Sequence, residues 1–293
     1  MGRDRVLGLK VDVDTRRGME EGVPALLSLL AGFGLRATFF LSFGPDNSGK
    51  ALYRMIRNPR FLFKMFRTNA PGLYGFRTAL YGTLLKAPMI ASALPALCRE
   101  IEERGHEVEF HAWDHRAWQD SLPGKGREWI KAWLDDGISA YESCLGHSPR
   151  AFGAPGWMLT GTAVEEIARR KWEYLSCTRA PAPFLLGGTG LAEIPSDLPC
   201  MEEVGGRKGV GVVVDVLSGG GTHVYPSTPK WRGESCRTPS SQSSGEHWNR
   251  GIASFRCRIL CGNSILRSSP NGPSGPLSCA AGPFPARPEI SSG

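Results

Sequence analysis

Along Val6–Thr15, VLGLKVDVDT, apolar side chains recur through Val6, Leu7, Leu9, Val11 and Val13, and the stretch ends on Asp12 and Asp14. A period of two predicts a strand, in which residues two apart share a side, so the two carboxylates converge beyond its end. Val23, Leu26, Leu27 and Leu30 then fall at helical spacing, closed by Gly32 and Gly34. Arg36–Ser42 is a second buried strand, and Gly44-Pro45-Asp46-Asn47 a turn. Strand, helix and strand in succession make the βαβ unit of a parallel sheet or barrel. The rhythm resumes at Leu94–Gly105, a helix ending on glycine, and at Glu107-Val108-Glu109-Phe110, a short strand. Gly126–Leu145 carries Trp129, Ile130, Trp133, Leu134, Ile138 and Tyr141 on one side, with Gly146 at its end. Arg150–Trp157 reads as a strand running into a Pro-Gly turn, and Thr162–Trp172 as a helix. Tyr174–Cys177, Leu191–Ile194 and Thr222–Tyr225 are further short strands. This alternation predicts an α/β fold, an incomplete (β/α) barrel.

One segment breaks the rhythm. Lys50–Pro95 holds Lys50, Arg54, Arg57, Arg60, Lys64, Arg67, Arg77 and Lys86 with no acid, interleaved with Tyr53, Phe61, Phe63, Phe66, Tyr74 and Phe76. A core-packing insertion usually mixes charge signs, so a basic, aromatic segment is expected to lie at a membrane interface, cations on anionic headgroups.

The 293 residues suffice for one barrel or two smaller domains. No apolar run reaches the ~20 residues that span a bilayer, and no apolar segment of signal-peptide length precedes the first acids, so a cytoplasmic protein is expected. The eight cysteines form no C-x-x-C pair, which argues against a zinc knuckle. The formal charge of +7 suggests nucleic-acid binding only until it is divided: 27 Lys and Arg face 25 acids up to Tyr225, and 8 face 3 beyond it. The excess lies in an anomalous tail, and no nucleic-acid-reading motif accompanies it.

The candidate chemistry centres on FHAWDHRAW, Phe110–Trp118. His111 and His115 stand four apart, on one side of a helical turn and close enough to share a metal ion. Trp113 and Trp118 are expected to wall the site. Alone, H-x-x-x-H equally describes two surface histidines. Joined to Asp12 and Asp14, it gives a divalent ion three ligands and leaves one carboxylate as a general base.

VDVDTRRG, EGVP, GPDN, NAPGLYG at Asn69–Gly75, HAWDHRAWQ and APGW together resemble the polysaccharide deacetylase family, and within it the 4-deoxy-4-formamido-L-arabinose-phosphoundecaprenol deformylases, over residues 6–225. The resemblance implies a distorted (β/α) barrel of about seven strands and a metal-dependent amidohydrolase removing a formyl or acetyl group from an amino sugar in lipid A modification. It implies Asp12 as general base and Asp14, His111 and His115 as ligands of a divalent ion, zinc first, with iron, cobalt or manganese compatible. The backbone of Gly156 and Trp157 would help hold the oxyanion. Arg57, Asn69 and Tyr74 of the insertion, with Trp113 and Trp118, would contact a polyprenyl-phosphate-linked sugar at the inner membrane, the protein being cytoplasmic and peripheral.

The catalytic unit is thus expected at residues 1–225 and a low-complexity, disordered tail at 226–293. Close to half of the tail is Ser, Gly or Pro, and no Asp follows Asp215. The family's proton donor, a late histidine on a Leu-His stretch, is missing, and His223 is its nearest substitute. A shift of translation frame explains the change of character. Tyr225–Glu234, written as TAC CCC TCC ACG CCG AAG TGG AGG GGG GAG and read from the third base, becomes Pro-Leu-His-Ala-Glu-Val-Glu-Gly-Gly, the stretch expected after the last strand. Three other readings compete: an inactive, lipid-binding remnant, a deacetylase of another N-acyl carbohydrate, and, last, a nucleic-acid binder.

Overall fold

The computed structural model describes residues 5–50, 80–200 and 221–228, and strand backbone at Arg258–Cys261, Ser264–Arg267 and Ala280–Ala281. The chain opens with β1 (Arg5–Val13), a wide helical turn (Gly18–Gly22), α1 (Val23–Gly32) and β2 (Thr38–Ser42). After 80–94 come α2 (Pro95–Glu103), β3 (Glu107–Ala112), α3 (His115–Ser121) and α4 (Arg127–Leu145). Then follow β4 (Ala151–Phe152), a tight turn at Pro155–Trp157, α5 (Gly161–Ala168), β5 (Tyr174–Leu175), β6 (Phe184–Leu185), β7 (Ala192–Glu193) and β8 (Gly221–Ser227).

Strands β8, β1, β2, β3, β4, β5 and β7 are parallel neighbours in that order, so the expected seven strands are present. No ladder joins β7 to β8 among the described residues, so the barrel stays open at that seam. It is spanned instead by Asp197, whose Oδ1 accepts the Val224 amide and whose Oδ2 meets His223 Nδ1, both at 2.6 Å.

The strands sort their side chains by chemistry. Val11 and Val13 of β1, Phe39 and Leu41 of β2, and Val108 and Phe110 of β3 join one buried cluster with the inner stripes of α1, α2 and α4. Their alternates, Lys10, Asp12, Thr38, Phe40, Glu107, Glu109 and His111, line a largely polar barrel interior, in which Asp12 Oδ1 and Glu109 Oε1 are buried without a hydrogen bond among the described residues while Glu107 is well paired. Thr38 Oγ1 donates to Glu107 Oε2 at 2.6 Å, Tyr174 Oη to the same oxygen at 2.9 Å, and Arg150 to Glu107 Oε1 at 2.7 Å. Both faces of β2 and β3 are therefore buried, as central parallel strands require.

Helix ends follow local chemistry. Thr160 caps α5 on Ala163, and Gly146, at φ +81°, closes α4 with its N–H on Glu142 O.

The structure differs from the sequence reading in places. α5 begins and ends before the Thr162–Trp172 expected, and β6 had no sequence signal. Residues 51–79 of the basic segment lie outside the described residues. The last part of that segment is no outlying insertion: Ile90 and Ala91 are buried, and Ile90 N–H donates to Gly44 O at 2.9 Å. Within the tail, β9 (Arg258–Cys261) and β10 (Ser264–Arg267) form an antiparallel pair, and β11 (Ala280–Ala281) pairs with β10. RILC and SILR each set two strand-favouring residues between polar ends, and two residues separate them, a length that suits a hairpin. Among the described residues no helix is long and apolar enough to cross a membrane.

Candidate active site

Two strand ends and a helix start build the site. Asp14 follows the last residue of β1, His111 lies near the end of β3, and His115 opens α3. Asp14 Oδ1 stands 3.1 Å from His111 Nε2 and 3.5 Å from His115 Nε2, and the three ligand atoms lie within 4.8 Å of one another. Ligand atoms ~2.0–2.1 Å from a tetrahedral ion sit about 3.3 Å apart, so these positions suit a single divalent cation.

The tautomer suits it too. His111 is buried, and its Nδ1 donates to the Gly153 carbonyl at 2.6 Å, which leaves the lone pair on Nε2, facing Asp14. Burial disfavours a charged His111 ring, yet the carboxylates of Asp12 and Asp14 outweigh it and raise its pKa. At His115 burial prevails over Asp14, and the pKa is lowered.

Asp12 points into the barrel two residues before Asp14. Its Oδ1 is buried and accepts no hydrogen bond among the described residues. The nearest cation is Lys10, 3.6 Å away. That ammonium is itself 3% exposed, donates to Ser176 O at 2.8 Å and lies 4.8 Å from the centre of the Phe40 ring. Sequence reasoning missed Lys10, although its spacing from Asp12 and Asp14 (i, i+2, i+4) puts it on their face.

The Pro155–Trp157 turn adjoins this group through Gly153, whose carbonyl holds His111. Gly156 and Trp157 both take left-handed backbone, φ +61° and +55°, which is costly for a tryptophan. The turn is clamped: a Cβ on Gly156 would come 2.4 Å from Gln119 Nε2 of α3, and the Arg179 guanidinium lies 5.0 Å from the Trp157 ring centre. The Trp157 amide donates within the turn to Ala154 O at 3.1 Å. Of the two expected oxyanion donors, Trp157 is therefore engaged within the turn.

The other expected site residues divide. Trp118 is corrected from site wall to core: it has no exposed surface, packs against Trp133 with ring centres 4.4 Å apart and tilted by 40°, and donates from its indole to Met158 O. A substrate cannot reach it. Trp113 is half-buried, its carbonyl pressed on Gly44 and its Cβ near Gly137. Arg57, Asn69 and Tyr74 lie outside the described residues. His223 is no stand-in for the late histidine. It pairs with Leu7, five residues upstream of Asp12, about 16 Å along the strand.

The polysaccharide deacetylase family matches residues 2–174 of this chain. The chain belongs to that family. Two curated relatives are similar to it, each named a probable 4-deoxy-4-formamido-L-arabinose-phosphoundecaprenol deformylase ArnD. The one from Shewanella sediminis (strain HAW-EB3) is 31% identical over 225 residues, 75% of this chain and 73% of the relative. The one from Wigglesworthia glossinidia brevipalpis is 32% identical over 195 residues, 64% of this chain and 66% of the relative. A solved structure described as a polysaccharide deacetylase, from Mycobacterium smegmatis, superposes with a TM-score of 0.54 at 19% identity, covering 86% of this chain and 84% of that one. The fold is thus that of the polysaccharide deacetylases, an incomplete half-barrel, and the chain is by membership a hydrolase of carbohydrate amides.

Proposed function

We propose that this site removes the formyl group from 4-deoxy-4-formamido-L-arabinose carried on undecaprenyl phosphate, a step in lipid A modification. The observation that carries the reading is the meeting of Asp14, His111 and His115 at 3.1 and 3.5 Å, with Asp12 on the same strand face. The deformylases among its relatives support the choice of substrate.

Asp14, His111 and His115 would hold a divalent ion, zinc by the chemistry of two imidazoles and a carboxylate, with iron, cobalt or manganese also compatible. When bound, such an ion polarises the amide carbonyl and makes a nearby water more acidic. Asp12 takes that water's proton as its oxygen bonds to the formyl carbon. Lys10, anchored on Ser176 O, fixes one side of the Asp12 carboxylate. The Gly156 amide steadies the carbonyl oxygen as charge gathers there. The C–N bond then breaks, formate leaves, and the sugar nitrogen needs a proton.

No residue of this chain is proposed to deliver that proton. On β8, Ser227 pairs with Val11, so the next residue, Thr228, comes level with Asp12. A threonine hydroxyl is too weak an acid for the task. In the shifted frame, Tyr225 is followed by Pro-Leu-His, and the histidine falls at position 228. That coincidence of register supports the frame-shift reading, and it supports weak activity of the chain as written over a fully competent enzyme.

The basic segment would set the enzyme on the inner membrane from the cytoplasmic side. Its described end presents Leu84, 81% exposed, and Leu85 beside Lys86. Co-sedimentation with anionic vesicles, reversed by high salt, is expected. Equal binding to neutral vesicles would count against it.

The substrate is tested by offering the frame-restored protein three amides: the lipid-linked formamido sugar, the same sugar without lipid, and an N-acetyl amino-sugar oligomer. Formate from the first, well above either other product, is expected. Acetate from the third as the main product would transfer the reading to a deacetylase of another carbohydrate.

A further inference from the structure

The loop after β2 reaches both halves of the candidate metal centre. Asp46 is fully buried, and its Oδ2 accepts the Arg16 amide, two residues past Asp14, at 2.8 Å. Its Oδ1 accepts the amide and hydroxyl of Ser48. The next side chain turns the other way: Asn47 Nδ2 donates to Asp114 Oδ2 at 2.7 Å. The second oxygen of Asp114 caps α3 on the Ala117 amide at 2.9 Å, and α3 begins with His115. Two adjacent side chains therefore grip the loop that carries one ligand and the helix that carries another.

The grip is itself fixed. Asp46 N–H donates to Pro88 O at 2.8 Å, and Phe43 N–H to Ala112 O at 2.8 Å. Asn47 packs on Gly82, where φ is +75° and a Cβ would come 2.2 Å from Asn47 Oδ1.

We propose that Asp46 and Asn47 are positioning residues that set the separation of Asp14 from His115 and thereby the metal affinity. The inference rests on the metal reading above. His111 is immobilised by its own bond to Gly153. Asp14 and His115 sit at a strand end and a helix start, 25% and 18% exposed at their side chains, where the bonds from Asp46 and Asn47 reach the chain beside them. Ligands free to drift apart lose affinity because ordering them opposes binding.

The test is a competition titration of the metal-free full chain with zinc and a chromophoric chelator. Wild type, Asn47→Ala, Asp114→Ser, the double variant and His111→Ala are compared. Serine still caps a helix, so Asp114→Ser removes only the oxygen that faces Asn47. Each single variant is expected to bind ~10–100-fold more weakly, and the double variant no more weakly than the worse single, since both cut one link. Binding by both Asn47→Ala and Asp114→Ser within twofold of wild type, with zinc lost in His111→Ala, would overturn the brace and leave the metal site standing. Losses that add in the double variant would also overturn it. Zinc kept by His111→Ala would remove the metal site and the brace with it.

Discussion

His111 donates from Nδ1 to Gly153 O, so in the neutral ring the lone pair sits on Nε2, and what Nε2 faces is Asp14 at 3.1 Å. In the proposed site that nitrogen holds the metal ion. Purified protein should carry near one equivalent of a divalent metal, and His111→Ala should lose it; elemental analysis decides, and full retention would end the assignment. Asp12→Asn should behave differently, keeping the metal while an active form of the enzyme loses ~10²–10⁴ in rate, as for a general base. Asp12 and Asp14 were legible as a pair because a strand's period of two sets them on one side, whereas His111 and His115 meet across the turn from β3 into α3 and not on one helical face. Trp118 was misread because a tryptophan beside a histidine has the same spelling whether it faces a cleft or Trp133. Asp46 and Asn47 were visible as a turn, but their bonds to Arg16 and Asp114 span 30 and 67 residues, which no local pattern reports.

Elements fit one another through a few small residues. α4 crosses β3 at Gly137, where a Cβ would come 2.3 Å from Phe110 Cζ. Phe110 is fully buried and stacked on Phe152 at 5.6 Å, so it cannot yield. Gly137→Ala gains ~1 kcal/mol of helix propensity but overpacks a rigid core, which costs ~1–3 kcal/mol or more. A lower urea midpoint is expected, and a higher one would show that the ring does move. His106 gives an element-level pH effect. Burial, then Arg36 and Arg104, lower its pKa, and its Nδ1 accepts the Ala37 amide at 3.2 Å, a bond that requires the ring neutral. The unfolded chain takes up this proton near pH 6.5 and the folded chain only at lower pH. The stability His106 confers is thus complete above pH 6.5 and is lost as the pH falls below it. Urea titrations should show this slope, reduced in His106→Asn, which keeps an acceptor but does not titrate. An unchanged slope would assign it to other groups. Long elements such as α4 were legible from their stripe and closing glycine. The two-residue strands β4, β5 and β7 were recognised, but with blurred ends, because ladder partners and not local composition decide where so short a strand stops.

For the whole molecule, the order of the parallel strands places Asp12, Asp14 and His111. β1 lies between β2 and β8, so β8 is the strand placed to set a residue level with Asp12, where the proposed reaction needs a proton donor. The chain reaches that level with Thr228, while His223 of the same strand is held by Asp197 at the seam. Composition marked where the chain changes character, and the register of β8 sets Thr228 level with Asp12. The most direct test is formate release from the lipid-linked formamido sugar by the chain as written, by Thr228→His, and by the frame-restored chain with and without Asp12→Asn. The account predicts fast release by the frame-restored chain, partial rescue by Thr228→His, ~10²–10⁴-fold less from the chain as written, and little from Asp12→Asn. Release by the chain as written at the restored rate, or release that survives Asp12→Asn, would contradict it.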